Sequence, residues 1–142
     1  MDEFLEQVVQ DAPDAILVTD RQGVITCWNR GAERIFGWAA HEALGKSLDL
    51  IIPENLRARH WGGFFRVMGG GESHYETGLL TSPGITRDGT RVSLEFSIVV
   101  LHDQHGAIGG CGAIMRDVTA RWQQDKALRE RLAACEAARA AS

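Results

Sequence analysis

Residues 13–38, PDAILVTDRQGVITCWNRGAERIFGW, predict two strands and a helix in immediate succession. β-Branched and apolar residues dominate 15–20 and again 24–28, and the glycine-containing turn between these segments is typical of a β-hairpin. Asn29 is a favourable N-cap, and 31–38 places apolar residues on one helical face. The stretch therefore predicts a hairpin that leads directly into a helix.

The segments on either side add further predicted helices and strands. The predicted elements are a helix over 1–12, a block of short helical turns over 42–53, a helix over 54–68, strands over 73–82, 90–101 and 108–116, and a long helix after Asp117. Strands before and after a helical block predict an α+β fold, with a five-stranded antiparallel sheet and helices on one face. We place the domain at 13–119, between an amphipathic helix at 1–12 and a signalling or linker helix at 120–142.

The composition is that of one small globular domain. Its 142 residues include 19 acidic and 15 basic side chains, a net charge of −4, which argues against a nucleic-acid partner because phosphate binding needs clustered cations. No apolar run approaches the roughly 18 residues that span a bilayer, and the acidic start lacks the basic region of a signal peptide. We therefore expect a cytoplasmic domain with no membrane partner.

The C-terminal helix leaves two interpretations open. Its apolar residues have a spacing compatible with a heptad seam, but charged residues share the same positions. The apolar set is Val118, Leu128, Leu132 and Cys135, and the charged set is Arg121, Asp125 and Arg139. A short coiled coil that forms a homodimer and a solvated linker helix both agree with this pattern.

Eight short motifs, in their order and spacing, make the chain resemble the PAS sensor domains from 13 to 119. They are Pro13-Asp14-Ala15-Ile16, Asp20-Arg21-Gln22-Gly23, Asn29-Arg30-Gly31-Ala32, Phe36-Gly37-Trp38, Glu42-Ala43-Leu44-Gly45, Ile52-Pro53, Arg87-Asp88-Gly89 and Arg116-Asp117-Val118-Thr119. The resemblance implies a pocket between sheet and helices, and a non-catalytic sensor or dimerisation module. It also implies output through the terminal helix to a kinase or other output domain, either in the same protein or in a partner.

The segment 53–66, PENLRARHWGGFFR, resembles the haem-binding helix of PAS oxygen-sensor kinases. The resemblance implies haem b with His60 as the proximal iron ligand, and Arg66 and His74 near the propionates. A neutral imidazole on a helix is a suitable haem ligand, and the arginines at 57, 59 and 66 suit an anionic propionate.

Further pocket residues follow from the same resemblance. Phe64 and Tyr75 are expected to contact the cofactor, and Phe96 and Ile98 match the distal side. Leu80 stands where the oxygen sensors carry an arginine that donates a hydrogen bond to oxygen. The sensed signal therefore stays open between oxygen, carbon monoxide, nitric oxide and redox state. The helix residues Phe64 and Phe65 are both expected in the core.

Two other functions agree with the sequence. One is a haem-free interaction module that dimerises through helices 2–12 and 117–140. The other is a pocket for an organic metabolite or fatty acid, which its apolar content permits. No nucleophile elbow or paired-carboxylate signature points to an enzyme, and the absence of an Asn-Cys-Arg-type motif argues against a flavin–thiol photoreceptor.

Overall fold

The computed structural model describes residues 2–70 and 78–141, which contain five strands and five α-helices. The strands are β1 (Ala15–Asp20), β2 (Ile25–Trp28), β3 (Leu80–Ile85), β4 (Arg91–His102) and β5 (Ile108–Asp117). The helices are α1 (Glu3–Asp11), α2 (Arg30–Phe36), α3 (Ala40–Ala43), α4 (Arg57–Met68) and α5 (Thr119–Ala141). Short 3₁₀ turns at Leu48–Ile51 and Glu54–Leu56 precede α4.

The strands form one antiparallel sheet in the order β2-β1-β5-β4-β3. This confirms the predicted α+β class. The sequence predicts the third strand over 73–82, whereas the described part of the chain has it at Leu80–Ile85, and 73–77 lie outside the described residues. It continues through Pro83 because β3 is an edge strand, where a residue without an N–H is tolerated.

Asn29 connects the first helix, the first strand and the second helix. Its side chain is fully buried, and its Oδ1 accepts hydrogen bonds from the backbone N–H of Ile16 at 2.8 Å and of Ala32 at 2.9 Å. Its Nδ2 donates to the carbonyl oxygens of Val9 at 2.7 Å and Asp14 at 3.0 Å. The predicted N-cap is therefore also an internal crosslink between three elements.

The loop before α4 holds that helix in place. The Arg57 guanidinium donates from Nε to the Ile52 carbonyl oxygen at 3.1 Å and lies 3.9 Å from the Asp49 carboxylate. The Trp61 indole donates from Nε1 to Asp49 Oδ1 at 2.7 Å. The single helix predicted over 54–68 thus begins as a 3₁₀ turn and becomes α-helical at Arg57.

The two flanking helices pack little against the domain. None of the described residues of α1 or α5 is buried. The start of α5 is nevertheless fixed to β4, because the Ser93 N–H donates to Thr119 Oγ1 at 2.9 Å and the Val118 N–H donates to the Ser93 carbonyl at 2.8 Å. No described helix is both long and apolar enough to cross a membrane. The domain limits at 13 and 119 stay a prediction.

Candidate functional site

A cavity of about 700 Å³ lies between α4 and the inner face of the sheet. Its volume is within the range of small-molecule and cofactor sites. Strands β1, β3, β4 and β5 form one wall, and α4 with the turns before it forms the other. The predicted arrangement of a pocket between sheet and helical block is therefore present.

The sheet wall consists of parallel rows of inward-facing side chains, because alternate residues of a strand share one face. The register pairs Leu80 with Phe96 and Phe96 with Met115, which makes one row. The next row joins Ile98 to Ala113 and Ala113 to Leu17. The three residues predicted for the distal side, Leu80, Phe96 and Ile98, thus meet on this wall, and all three line the cavity.

On the helix wall, His60 and Phe64 face the cavity together. They are four residues apart, so they lie on the same side of α4. Phe64 is buried, whereas Phe65 is 51% exposed and stacks on Trp61 with ring centroids 5.5 Å apart. The expectation that both phenylalanines are in the core was therefore wrong for Phe65, because the helix turns its side chain away from the sheet.

Two arginines flank the cavity on the same helix. Arg59 and Arg66 both line it, and their seven-residue spacing places them on one side of α4. Arg57 does not line the cavity, because its guanidinium is bound to the loop before the helix. His74 and Tyr75, the other residues predicted to contact the cofactor, lie outside the described residues.

The His60 imidazole is half-buried among aromatic rings. Its centroid is 4.7 Å from that of Trp61, in an edge-on arrangement, and 5.9 Å from that of Phe64. Burial lowers the pKa of His60, and the negative charge of Asp49 opposes this effect. The ring is therefore neutral at physiological pH, which is the form that binds a metal.

The arrangement around His60 fits a haem. Nδ1 of His60 is buried and has no hydrogen-bond partner within residues 2–70 and 78–141, so Nε2 is the ring nitrogen left for a group in the cavity. A haem iron needs one protein nitrogen from such a ring. The apolar sheet wall suits a porphyrin, and the Arg59 and Arg66 guanidinium groups suit its propionates.

The sequence did not identify several of the residues that line the cavity on the sheet side, among them Thr19, Cys111 and Met115. The alternation of side chains along a strand assigns Thr19 and Cys111 each to one face of its own strand. That the two lie side by side follows only from the pairing of β1 with β5. Burial raises the pKa of Cys111 to about 11. Its thiol therefore stays protonated, and the residue is a poor nucleophile.

The chain is similar in sequence to a known domain family and to two known sensor proteins. The family model described as "PAS fold" matches residues 9–123. The chain is 31% identical to the sensor protein FixL of Bradyrhizobium diazoefficiens over 89% of its length, and 30% identical to the signal transduction histidine-protein kinase AtoS of Escherichia coli over 89%. It spans only 25% and 20% of these relatives.

Solved structures agree with the family match. The crystal structure of a PAS domain from Colwellia psychrerythraea superposes with a TM-score of 0.70 at 22% identity, and the alignment covers 83% of this chain and 97% of that one. At this identity the likeness shows the fold. Together with the family match over most of the chain, these findings confirm the resemblance seen in the sequence, and the chain belongs to the PAS family.

Proposed function

We propose that this PAS sensor domain binds haem b through His60 and detects a diatomic gas or a redox change. The observation that carries the proposal is the His60 imidazole on the wall of a largely apolar cavity, where burial lowers its pKa and favours the neutral ring. PAS domains are sensory modules, so this role requires no catalysis by the domain itself. Bound haem would supply an iron centre that takes up a gas or changes its oxidation state.

The helix supplies the other contacts that haem needs. Arg59 and Arg66 lie on one flank of the cavity, where their guanidinium groups can pair with propionates. The Phe64 ring lies beside the His60 ring, with the ring centroids 5.9 Å apart. This set agrees with the resemblance of 53–66 to the haem-binding helix of PAS oxygen-sensor kinases.

The wall opposite His60 determines which gas is favoured. Leu80, Phe96 and Ile98 present apolar groups there, and the side chain at 80 has no hydrogen-bond donor. A hydrogen bond from such a donor stabilises bound oxygen more than bound carbon monoxide. Because residue 80 is leucine, the domain lacks the arginine with which the oxygen sensors favour oxygen. Carbon monoxide, nitric oxide and redox state remain candidates beside oxygen.

Strand β5 provides a direct path from the cavity to the output helix. Cys111, Ala113 and Met115 line the cavity, and α5 begins at Thr119. Asp117 accepts a hydrogen bond from the Thr119 N–H at 2.9 Å and so caps the start of α5. A ligand that favours one position of the sheet wall thereby shifts the orientation of α5, and we propose that α5 passes this shift to a kinase or other output domain.

We also propose that the flanking helices form a homodimer. Apolar side chains on both helices are exposed: Phe4, Leu5, Val8, Trp122, Leu128 and Leu132. Light scattering should show a dimer for the full chain and a monomer for a chain that ends at Asp117. Equal oligomeric states would remove α5 from the interface.

A haem titration tests cofactor binding. Trp61 lies beside the His60 ring, so bound haem should quench its fluorescence and saturate at one haem per chain. The His60→Ala variant should bind much more weakly, whereas His102→Ala, at an exposed histidine on β4, should match the wild type. Equal haem affinity for the wild type and His60→Ala would contradict ligation by His60.

A further inference from the structure

The Trp61 indole lies against the His60 ring without lining the cavity. The centroids of the two rings are 4.7 Å apart, and the ring planes are 77° apart. Among the described residues, those that line the cavity include His60 and Phe64 but not Trp61. Trp61 therefore contacts the proposed iron ligand rather than the space that a bound molecule would fill.

The indole is held at both of its ends and on one face. Its Nε1 donates to Asp49 Oδ1 at 2.7 Å. The opposite end packs on the turn after β1, where a Cβ on Gly23 would lie 2.2 Å from two carbons of the six-membered ring. Phe65 stacks on the indole, with ring centroids 5.5 Å apart and planes at 25°. These contacts leave the indole little freedom to rotate.

The His60 imidazole takes its orientation from packing. Phe64 lies 5.9 Å from His60 and 5.2 Å from Trp61, measured between ring centroids, so the three rings contact one another pairwise. A hydrogen bond to the second ring nitrogen normally fixes the orientation of a histidine that ligates a metal. No described residue makes such a bond with Nδ1 of His60, which is buried. The neighbouring rings are therefore left to set the orientation of the imidazole.

We propose that Trp61, anchored by Asp49, is a positioning residue that fixes the His60 imidazole toward the cavity. Packing against an anchored indole then replaces the hydrogen bond that usually orients a ligating histidine. The inference deepens the proposed function, because its consequence for haem rests on ligation by His60. A ring that changes rotamer is in the binding orientation for only part of the time, and the apparent affinity falls by that fraction.

The first experiment measures the rotamer of His60 in the cofactor-free chain by NMR. Three-bond couplings between the Cα and Cβ protons distinguish one staggered χ1 rotamer from an average of several. The wild type should show one rotamer and Trp61→Ala an average. The control Trp122→Ala, at a tryptophan of α5 that is 51% exposed, should match the wild type. One rotamer retained in a folded Trp61→Ala chain would overturn the proposal.

Two substitutions at Asp49 test the anchor and leave the indole in place. The Asp49 side chain is 40% exposed, so its replacement should leave the domain folded. Asp49→Ala removes the acceptor for Trp61 Nε1 and should partly average the His60 couplings, whereas Asp49→Asn keeps an oxygen there and should match the wild type. Wild-type couplings in Asp49→Ala would overturn the role of Asp49. Averaged couplings in Asp49→Asn would also overturn it, because they would assign the effect to the charge that Asp49 presents to Arg57 at 3.9 Å.

The second experiment measures haem affinity by titration, with the Soret band as the readout. Trp61→Ala should bind haem about tenfold more weakly than the wild type, which corresponds to a binding orientation populated about a tenth of the time. Asp49→Asn and Trp122→Ala should bind haem as the wild type does. Equal affinities for the wild type and Trp61→Ala would overturn the proposal.

The two experiments together separate the possible failures. If the wild type takes up no haem while Trp61→Ala averages the His60 couplings, the proposed function fails and the positioning of the imidazole by Trp61 stands. If the wild type binds haem and Trp61→Ala keeps both the rotamer and the affinity, the proposed function stands and the inference fails.

Discussion

Replacement of Asn29 by alanine should destabilise the domain more than the loss of a single hydrogen bond at the surface. The substitution removes four hydrogen bonds of 2.7–3.0 Å from a fully buried side chain. Each such bond contributes about 1 kcal/mol net, and the backbone groups left without partners add a further cost. We therefore expect the free energy of unfolding to fall by about 4 kcal/mol, which corresponds to about 12 °C in the melting temperature.

The assay is urea unfolding followed by circular dichroism. Asn55 is the matched control, because its Oδ1 accepts one exposed hydrogen bond, from Arg91 at 2.8 Å. Asn55→Ala should change the free energy of unfolding by less than about 0.5 kcal/mol. If Asn29→Ala costs no more than Asn55→Ala, Asn29 does not crosslink α1, β1 and α2, and the account of this corner of the fold is wrong.

Three further outcomes follow from the structure. Gly110→Ala should destabilise the domain by about 2 kcal/mol, because the added Cβ would lie 2.1 Å from a β1 carbonyl oxygen. The control Gly109→Ala places its Cβ in open space and should be nearly neutral. Equal urea midpoints for the two variants would refute the close packing at Gly110. Burial raises the pKa of Cys111 to about 11, so its alkylation at pH 8, followed by mass spectrometry, should be much slower than that of the exposed Cys135. The alkylation of Cys111 should become faster as the pH rises. Comparable rates for the two cysteines at pH 8 would contradict the burial of the Cys111 thiol. Leu80→Arg should slow oxygen release from the haem-loaded chain, since it adds a donor to the sheet wall, and an unchanged stopped-flow rate would count against that wall as the gas site.

Local patterns in the sequence predicted most of the secondary structure. The hairpin and the helix within 13–38 follow from β-branched runs, a glycine turn and the Asn29 cap, all of which act over a few residues. The edge position of β3 was not predictable in the same way, because it depends on the strand order of the whole sheet. For that reason the strand was expected to end at Ser82 rather than to pass through Pro83.

The candidate site shows the same division between local and long-range information. His60, Arg66 and Phe64 share one helix, so their common location could be inferred from their spacing and from the family resemblance. Thr19 and Cys111 are far apart in the sequence and meet only through the pairing of β1 with β5. Their contribution to the cavity therefore required the structure.

The central claim, that His60 ligates a haem in this cavity, is tested most directly by the visible absorption spectrum after expression with haem supply. The account predicts a strong Soret band for the wild type and for His102→Ala, and its loss in His60→Ala while the circular dichroism spectrum stays folded. A wild-type protein that remains colourless after haem addition, or a His60→Ala variant with an unchanged Soret band, would contradict it.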